Sequence, residues 1–250
     1  MIDLQQIKVT FNEGQQNEVL ALKSVDLKVS KGQYLVVVGA NGSGKSTLLN
    51  VISGTVRPKS GRVLLQDRDI SLLPDYKRSK YIARVFQNPL SGTAPDLSII
   101  DNFRLAALRT QKKTLRIGLN DAFRVKVADR LSDLGMGLEN KLDQAMGTLS
   151  GGQRQAITLL MSVMDDLDVL LLDEPTAALD PRSAETVMRI ADELISRHQL
   201  TAVLITHNLK DALNYGDRVI QMIDGKIERD VLSEAKTHLS ASEIYGWFMS

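Results

Sequence analysis

Three short stretches of this chain combine residue types and spacings suited to holding a nucleoside triphosphate. The first is Gly39-Ala-Asn-Gly-Ser-Gly-Lys-Ser-Thr47, which fits G-x-x-x-x-G-K-[ST]. Gly39, Gly42 and Gly44 let the backbone approach a ligand closely. Successive N–H groups, Asn41 and Ser43 included, can then face anionic oxygens at the positive end of the following helix. Lys45 adds a full charge for the β and γ phosphates, and the Ser46 hydroxyl, beside Thr47, suits Mg²⁺. The second stretch is Asp173-Glu174, directly after the apolar run Val169–Leu172. Neighbouring side chains on a strand point to opposite faces, so these carboxylates are expected to do different jobs. One suits Mg²⁺, a hard cation that takes oxygen ligands; the other suits an attacking water. The third is Leu149-Ser-Gly-Gly-Gln153 before an apolar helix, where Ser150 reads as an N-cap and Gly151 and Gly152 permit close backbone approach. A helix N-terminus with a hydroxyl is a second anion site, and spacing leaves open which phosphate it would meet.

The elements around these residues follow from apolar periodicity. Tyr34–Val38, Val169–Leu172 and Ala202–Ile205 are short unbroken apolar runs, as expected of parallel strands buried on both faces. Arg84–Phe86 is a further short strand. Ligands of open parallel sheets bind beyond the carboxyl ends of the strands. Gly39, Gln87, Asp173-Glu174 and His207 should therefore share one edge. Taken alone, Gln87 and His207 read as a strand-end glutamine and a solvated loop histidine.

Residues 2–11 alternate loosely and Val25, Leu27 and Val29 more strictly, so both segments are expected in an antiparallel sheet. Phe11 ends the first of them and reads either as plain core or as a ring that stacks on adenine. Val63–Leu65 is expected to begin another strand. From 88 to about 168 helical periodicity dominates, with Asn120 as an N-cap ahead of Phe123, Val127, Leu131 and Leu134. Lys112, Lys113, Arg116 and Arg124 make this stretch basic, as solvated surface or a docking face. Val187, Ile190, Ala191, Leu194 and Ile195 mark an amphipathic helix preceded by Asp180-Pro181, an N-cap and N1 pair. Asp224-Gly225 between two strand-like runs predicts a hairpin. A last helix is expected around Ser242–Phe248.

Composition narrows the classes. Apolar residues make up 43% of 250, enough for a large core. Lys plus Arg number 31 against 30 Asp plus Glu, a net charge of +1 that argues against wholesale attraction to nucleic acid. The absence of cysteine removes disulfides and thiol chemistry and fits a reducing compartment. No run reaches the ~18 apolar residues of a membrane span, and the start lacks a secretory signal pattern. The expectation is a cytoplasmic protein that any membrane role would tie to another chain.

The full series Gly39–Thr47, Gln87, Leu149–Gln153, Val169–Glu174, Ala177-Ala-Leu-Asp180 and His207 resembles the ATP-binding cassette (ABC) ATPase family over essentially the whole chain. The resemblance implies an α/β fold, with a RecA-like phosphate-loop core, an antiparallel β subdomain and an inserted helical subdomain. It implies one ABC domain over 1–250, with 1–87 and 166–250 forming the β subdomain and nucleotide core and 88–165 the helical part. It implies ATP and Mg²⁺ as ligands, with Ser46, Gln87 and Asp173 on the metal side. Glu174 would be the general base, His207 and Lys45 would contact the γ-phosphate, and Gln87 would reach the metal or the attacking water. Phe11 would stack on adenine, although tyrosine is more usual there. Ser150, Gly151, Gly152, Gln153 and Asp180 would act across a head-to-tail dimer of two copies with ATP in the interface. Partners would be membrane permease subunits and, indirectly, a substrate-binding protein, with the cassette peripheral on the cytoplasmic face of the membrane. The segment Val85–Ile99, with its Gly-Thr-Ala-Pro element, is similar to cassettes paired with branched-chain-type amino acid permeases. That implies import of an amino acid, often an aromatic one in that group, or a related small organic solute. A mechanical ABC module of the lipid-extraction or cell-division type is the alternative, and a phosphate-loop kinase has no reason to carry Leu149–Gln153.

Overall fold

The computed structural model describes residues 1–109 and 120–249. Its first sheet grows from the loosely alternating N-terminus. Strand β1 (Ile2–Phe11) pairs antiparallel with β2 (Val19–Val29), from Ile2 opposite Val29 to Phe11 opposite Val19. The loose alternation has a physical cause. Ile2 and Leu4 are buried, then Ile7 and Val9, so the phase slips between Leu4 and Ile7, where the pairing register shifts. Gln6 takes a positive φ of 52°, and its N–H donates to Asp26 Oδ1 at 2.9 Å, which satisfies the bulge.

Strand β3 (Tyr34–Val38) is buried at every residue, and helix α1 (Lys45–Ser53) follows the glycine-rich loop. Strand β4 (Ser60–Leu65) joins the first sheet beside β1, and β5 (Arg68–Asp69) completes it in the order β2-β1-β4-β5. Val63–Leu65 thus closes a strand instead of beginning one, because Gln66 and Asp67 turn the chain with φ of 50° and 63°. The one-turn helix α2 (Asp75–Arg78) leads to β6 (Ile82–Val85).

Helices α3 (Ile99–Ala107) and α4 (Asp121–Ser132) come next. Asn120 caps α4 as expected, accepting from the Phe123 N–H at 2.9 Å. Lys112, Lys113 and Arg116 lie outside the described residues, and Arg124 pairs with Asp143. Helix α5 (Gly151–Ser162) precedes β7 (Val169–Asp173), α6 (Pro181–His198), β8 (Thr201–Ile205) and α7 (Leu209–Asn214). The hairpin at Asp224-Gly225 joins β9 (Arg218–Ile223) to β10 (Lys226–Val231), with φ of 47° and 75° at the turn. Helices α8 (Ser233–Lys236) and α9 (Ala241–Met249) end the chain.

The second sheet has the order β10-β9-β3-β8-β7-β6, with every pairing parallel except β10 with β9. Its side chains divide between two cores. Leu35, Val37, Leu171, Val203 and Ile205 face the first sheet across Leu48, Leu49, Val51 and Ile52 of α1. Tyr34, Val36, Val38, Leu170, Leu172 and Leu204 face α3, α5 and α6. A strand that feeds two cores has to be apolar without interruption, which is why these strands do not alternate. Each fully buried Leu, Ile or Val contributes about 1.5–3 kcal/mol. The sheet is thus a firm plate, and its carboxyl edge is where the polar residues emerge.

Candidate active site

Strands β3, β8, β7 and β6 are consecutive neighbours and run the same way, so the residues that follow them share an edge. After β3 comes the loop Gly39–Gly44. Gly39 has φ 144°, and a Cβ there would lie 2.2 Å from the carbonyl oxygen of Met222 on β9. Only glycine fits. The same hairpin supports the loop further on, where the Gly225 N–H donates to Ser43 O at 3.0 Å. Lys45 is buried, and its Nζ donates to the carbonyls of Gly39 and Ala40 at 2.7 and 2.8 Å. An ammonium has three donors, so one is left for a phosphate oxygen. Burial pulls the Lys45 pKa down, while the charges of Glu174 and then Asp173 push it up. Asn41, Gly42 and Ser46 are exposed at the loop, and Thr47 is half-buried.

After β7 the two acids separate, for a reason different from the expected one. The strand ends at Asp173, and Glu174 turns out of it with φ 47°. A positive φ at a non-glycine costs on the order of 1–3 kcal/mol and is held by its surroundings. The Glu174 N–H donates to Ile205 O on β8 at 3.0 Å. Its carboxylate then meets His207: Glu174 Oε1 lies 3.0 Å from His207 Nδ1. Asp173 instead accepts from Arg84 Nη2 at 2.5 Å. His207 is exposed two residues past β8, its turn pinned by Thr206, whose hydroxyl accepts from the Asn208 N–H at 3.0 Å. Gln87 is exposed two residues beyond β6, not at its last position. Phe11 ends β1 opposite Val19, 37% exposed, a partly open ring with its apolar neighbours Val19 and Leu20.

The third stretch forms a separate group. Ser150 and Gln153 make a reciprocal capping box at the start of α5: the Gln153 N–H donates to Ser150 Oγ at 3.3 Å and the Ser150 N–H to Gln153 Oε1 at 3.2 Å. Gly152 is required by close approach, since a Cβ there would lie 2.8 Å from Ser183 on the first turn of α6. Asp180 caps α6, accepting from the Ser183 N–H at 3.1 Å with Pro181 at N1. The Ser183 hydroxyl and N–H hold the Asp180 carboxyl below its ordinary pKa. Among the described residues, no hydrogen bond or ion pair joins Ser150–Gln153 to Gly39–Thr47.

Two residues that motif spacing passed over connect the groups. Gln155 is fully buried, and its amide donates to Phe86 O and Pro175 O, both at 2.9 Å. It ties α5 to the ends of β6 and β7. Arg84 joins Asp173 to Asn50 of α1. The sequence signal for Arg84 was a charged residue inside an apolar run, Ile82–Phe86; Gln155, following Gln153 and Arg154, carried no such signal.

A family model described as ABC transporter matches residues 22–177. The chain belongs to the ABC transporter family. The chain is 37% identical to a tyrosine transport ATP-binding protein of Clostridioides difficile, over 98% of this chain and 97% of that one. It is 35% identical to the macrolide export ATP-binding/permease protein MacB of Vibrio parahaemolyticus, over 85% of this chain and 31% of the longer protein. Among solved structures, a dimeric post-hydrolysis state of the ATP-binding cassette MJ0796 bound to ADP and Pi superposes with a TM-score of 0.80. That match has 27% identity and covers 93% of this chain and 99% of that one. The fold described above is thus that of an ABC ATPase cassette, the ATP-binding and ATP-hydrolysing subunit of a transporter. Among the described residues, no helix is long and apolar enough to cross a membrane.

Proposed function

We propose that this cassette drives import of an amino acid, an aromatic one in particular, through a separate membrane permease. The observation that carries the substrate class is the end-to-end likeness to the tyrosine transport ATP-binding protein. Likeness to MacB favours a second reading, export, but extends over less than a third of that protein.

The site reading assigns each group a task. The loop Gly39–Thr47 and Lys45 hold the β and γ phosphates, and Phe11 stacks on adenine. Ser46 hydroxyl, Gln87 amide oxygen and Asp173 carboxylate form a hard-oxygen set that suits magnesium, a cation that takes its remaining ligands from water and phosphate. Bound there, magnesium would supply charge neutralisation on the triphosphate. Glu174 accepts a proton from water as its oxygen bonds to the γ-phosphorus and the bond to the β–γ bridging oxygen breaks, releasing ADP. His207, whose Nδ1 lies 3.0 Å from Glu174 Oε1, orients that carboxylate and faces the γ-phosphate.

Ser150–Gln153 and Asp180 act on the nucleotide of a second copy in a head-to-tail dimer; the similar MJ0796 cassette is itself dimeric, bound to ADP and Pi. Residues 88–165 form the helical subdomain. A groove bounded by Ser91, Thr93, Leu105, Arg109 and Met161 receives a permease helix, and a substrate-binding protein delivers the solute. Magnesium-dependent uptake of labelled tyrosine by proteoliposomes holding this cassette and its co-purified permease tests the substrate class. Outward movement of solute would establish the export reading instead. Glu174→Gln is expected to retain ATP binding and to lose turnover by at least about a hundredfold; near-normal turnover would remove Glu174 from the base role.

A further inference from the structure

Arg84 joins three elements of the site, and none of the assigned tasks uses it. It projects from β6, where Ile82, Ala83 and Val85 are buried apolar residues. Nη1 donates to Asn50 Oδ1 of α1 at 2.6 Å, and Nη2 donates to Asp173 Oδ2 at 2.5 Å. The guanidinium carbon lies 4.9 Å from the centroid of the Phe86 ring, next to Gln87. Nε is buried without a hydrogen-bond partner. The side chains of Arg84 and Asp173 are 13% and 14% exposed, so salt and water screen this pair far less than a surface pair. A guanidinium stays charged in such a place and offers its donors as a rigid fork.

The charge count gives the fork a consequence. At the end of β7, Asp173 and Glu174 place two negative charges where a triphosphate must arrive. Lys45 alone would leave that edge anionic; Lys45 and Arg84 together balance it. The bond to Arg84 uses Oδ2 of Asp173 and leaves Oδ1 open to a second donor or ligand. We propose that Arg84 is a positioning residue that fixes the Asp173 carboxylate against α1 and supplies the counter-charge that lets nucleotide bind before, or without, a divalent cation. This inference rests on the reading of the site as one for ATP and magnesium.

The test is equilibrium binding of a fluorescent ATP analogue to the purified full chain, in EDTA and in excess magnesium, with no hydrolysis readout. Arg84→Met and Arg84→Gln should each raise the ratio of Kd in EDTA to Kd in magnesium about tenfold. Glutamine keeps a donor for Asp173 but loses the charge, so it reports on charge if the methionine variant fails to fold. Arg84→Lys keeps the charge without the fork and should leave the ratio within about threefold of wild type. In an Asp173→Asn background, removing the Arg84 charge should no longer change the ratio. A ratio unchanged by both neutral variants, or equal weakening under both conditions, would overturn the proposal and leave Arg84 a packing residue. Failure of the wild type to bind nucleotide at all would overturn the site reading and this inference with it.

Discussion

The phosphate loop and the Ser150–Gln153 turn are both glycine-rich entries to a helix, yet the chain supports them in opposite ways. The phosphate loop is held by distant sequence. Met222 leaves no room for a side chain at Gly39, Gly225 donates to Ser43, and Lys45 is buried against the loop's own carbonyls. The Ser150 turn packs closely on Ser183 but takes its hydrogen bonds from itself, through a capping box within four residues, with Ser150 exposed and no acid in the first turn of α5. A helix N-terminus favours an anion. The phosphate loop is a finished cradle inside one molecule, whereas the Ser150 turn presents a rigid positive end outward. The contrast fits half-sites that meet only between two copies.

The most direct way to break that contrast is to damage each region in a different molecule and mix them. Lys45→Ala removes the cradle's charge. Gly151→Asp adds an acid that helix α5 tolerates at its first turn but that repels a phosphate. Its Cβ would press on the flexible end of Leu179 at 3.0 Å. Each variant alone should lose about a hundredfold or more in ATPase rate. In a head-to-tail dimer, mixing them creates one intact site in half of the dimers, which should restore about a quarter of wild-type activity. If each molecule used its own turn, the mixture would stay as inactive as its parts.

A second, smaller effect probes the link between the regions. Gln155→Leu removes both hydrogen bonds from α5 to Phe86 O and Pro175 O, at a site with no water access. It should lower stability by about 2 kcal/mol in denaturant titration. If α5 reports to the catalytic edge through this amide, kcat should fall further than ATP affinity does. A variant that loses stability alone would reduce Gln155 to a packing role.

How much of this was legible in the sequence depends on how far apart the interacting residues lie. The buried strands, the caps at Asn120, Ser150 and Asp180 and the Asp224-Gly225 turn obey rules that act within a few residues, and the structure has them where spacing put them. The placement of Gly39, Asp173-Glu174 and His207 along one edge followed from the apolar runs that precede them. The fork of Arg84 did not, because it joins residues 34 and 89 positions away that only the sheet order makes neighbours. Glu174 shows the limit of a local rule. It precedes Pro175, which favours an extended residue, and it alternates in sequence with Asp173. Its positive φ comes from the bond to Ile205 on the next strand. The family pattern named the residues, and only the tertiary contacts show what holds them.

The smallest expected effect separates two roles that coincide at Asp180, which caps α6 and is assigned to the dimer interface. Asp180→Ala should lower Tm measurably at neutral pH, since the Ser183 N–H and hydroxyl lose their acceptor. The Asp180 pKa is depressed on folding, so its stabilising contribution is present above the ordinary carboxylate pKa of 3.8 and lost as pH falls through the lowered folded value. The Tm difference between wild type and Asp180→Ala should therefore shrink on acidification. Asp180→Asn keeps a capping oxygen and removes the charge, so its Tm should match wild type at neutral pH. The interface role then stands or falls on the ATPase rate of that variant. A reduced rate with unchanged Tm assigns the carboxylate a task beyond its own helix, on the side of the molecule that faces the second copy. A wild-type rate would leave Asp180 a cap and confine the intermolecular half-site to the Ser150 turn.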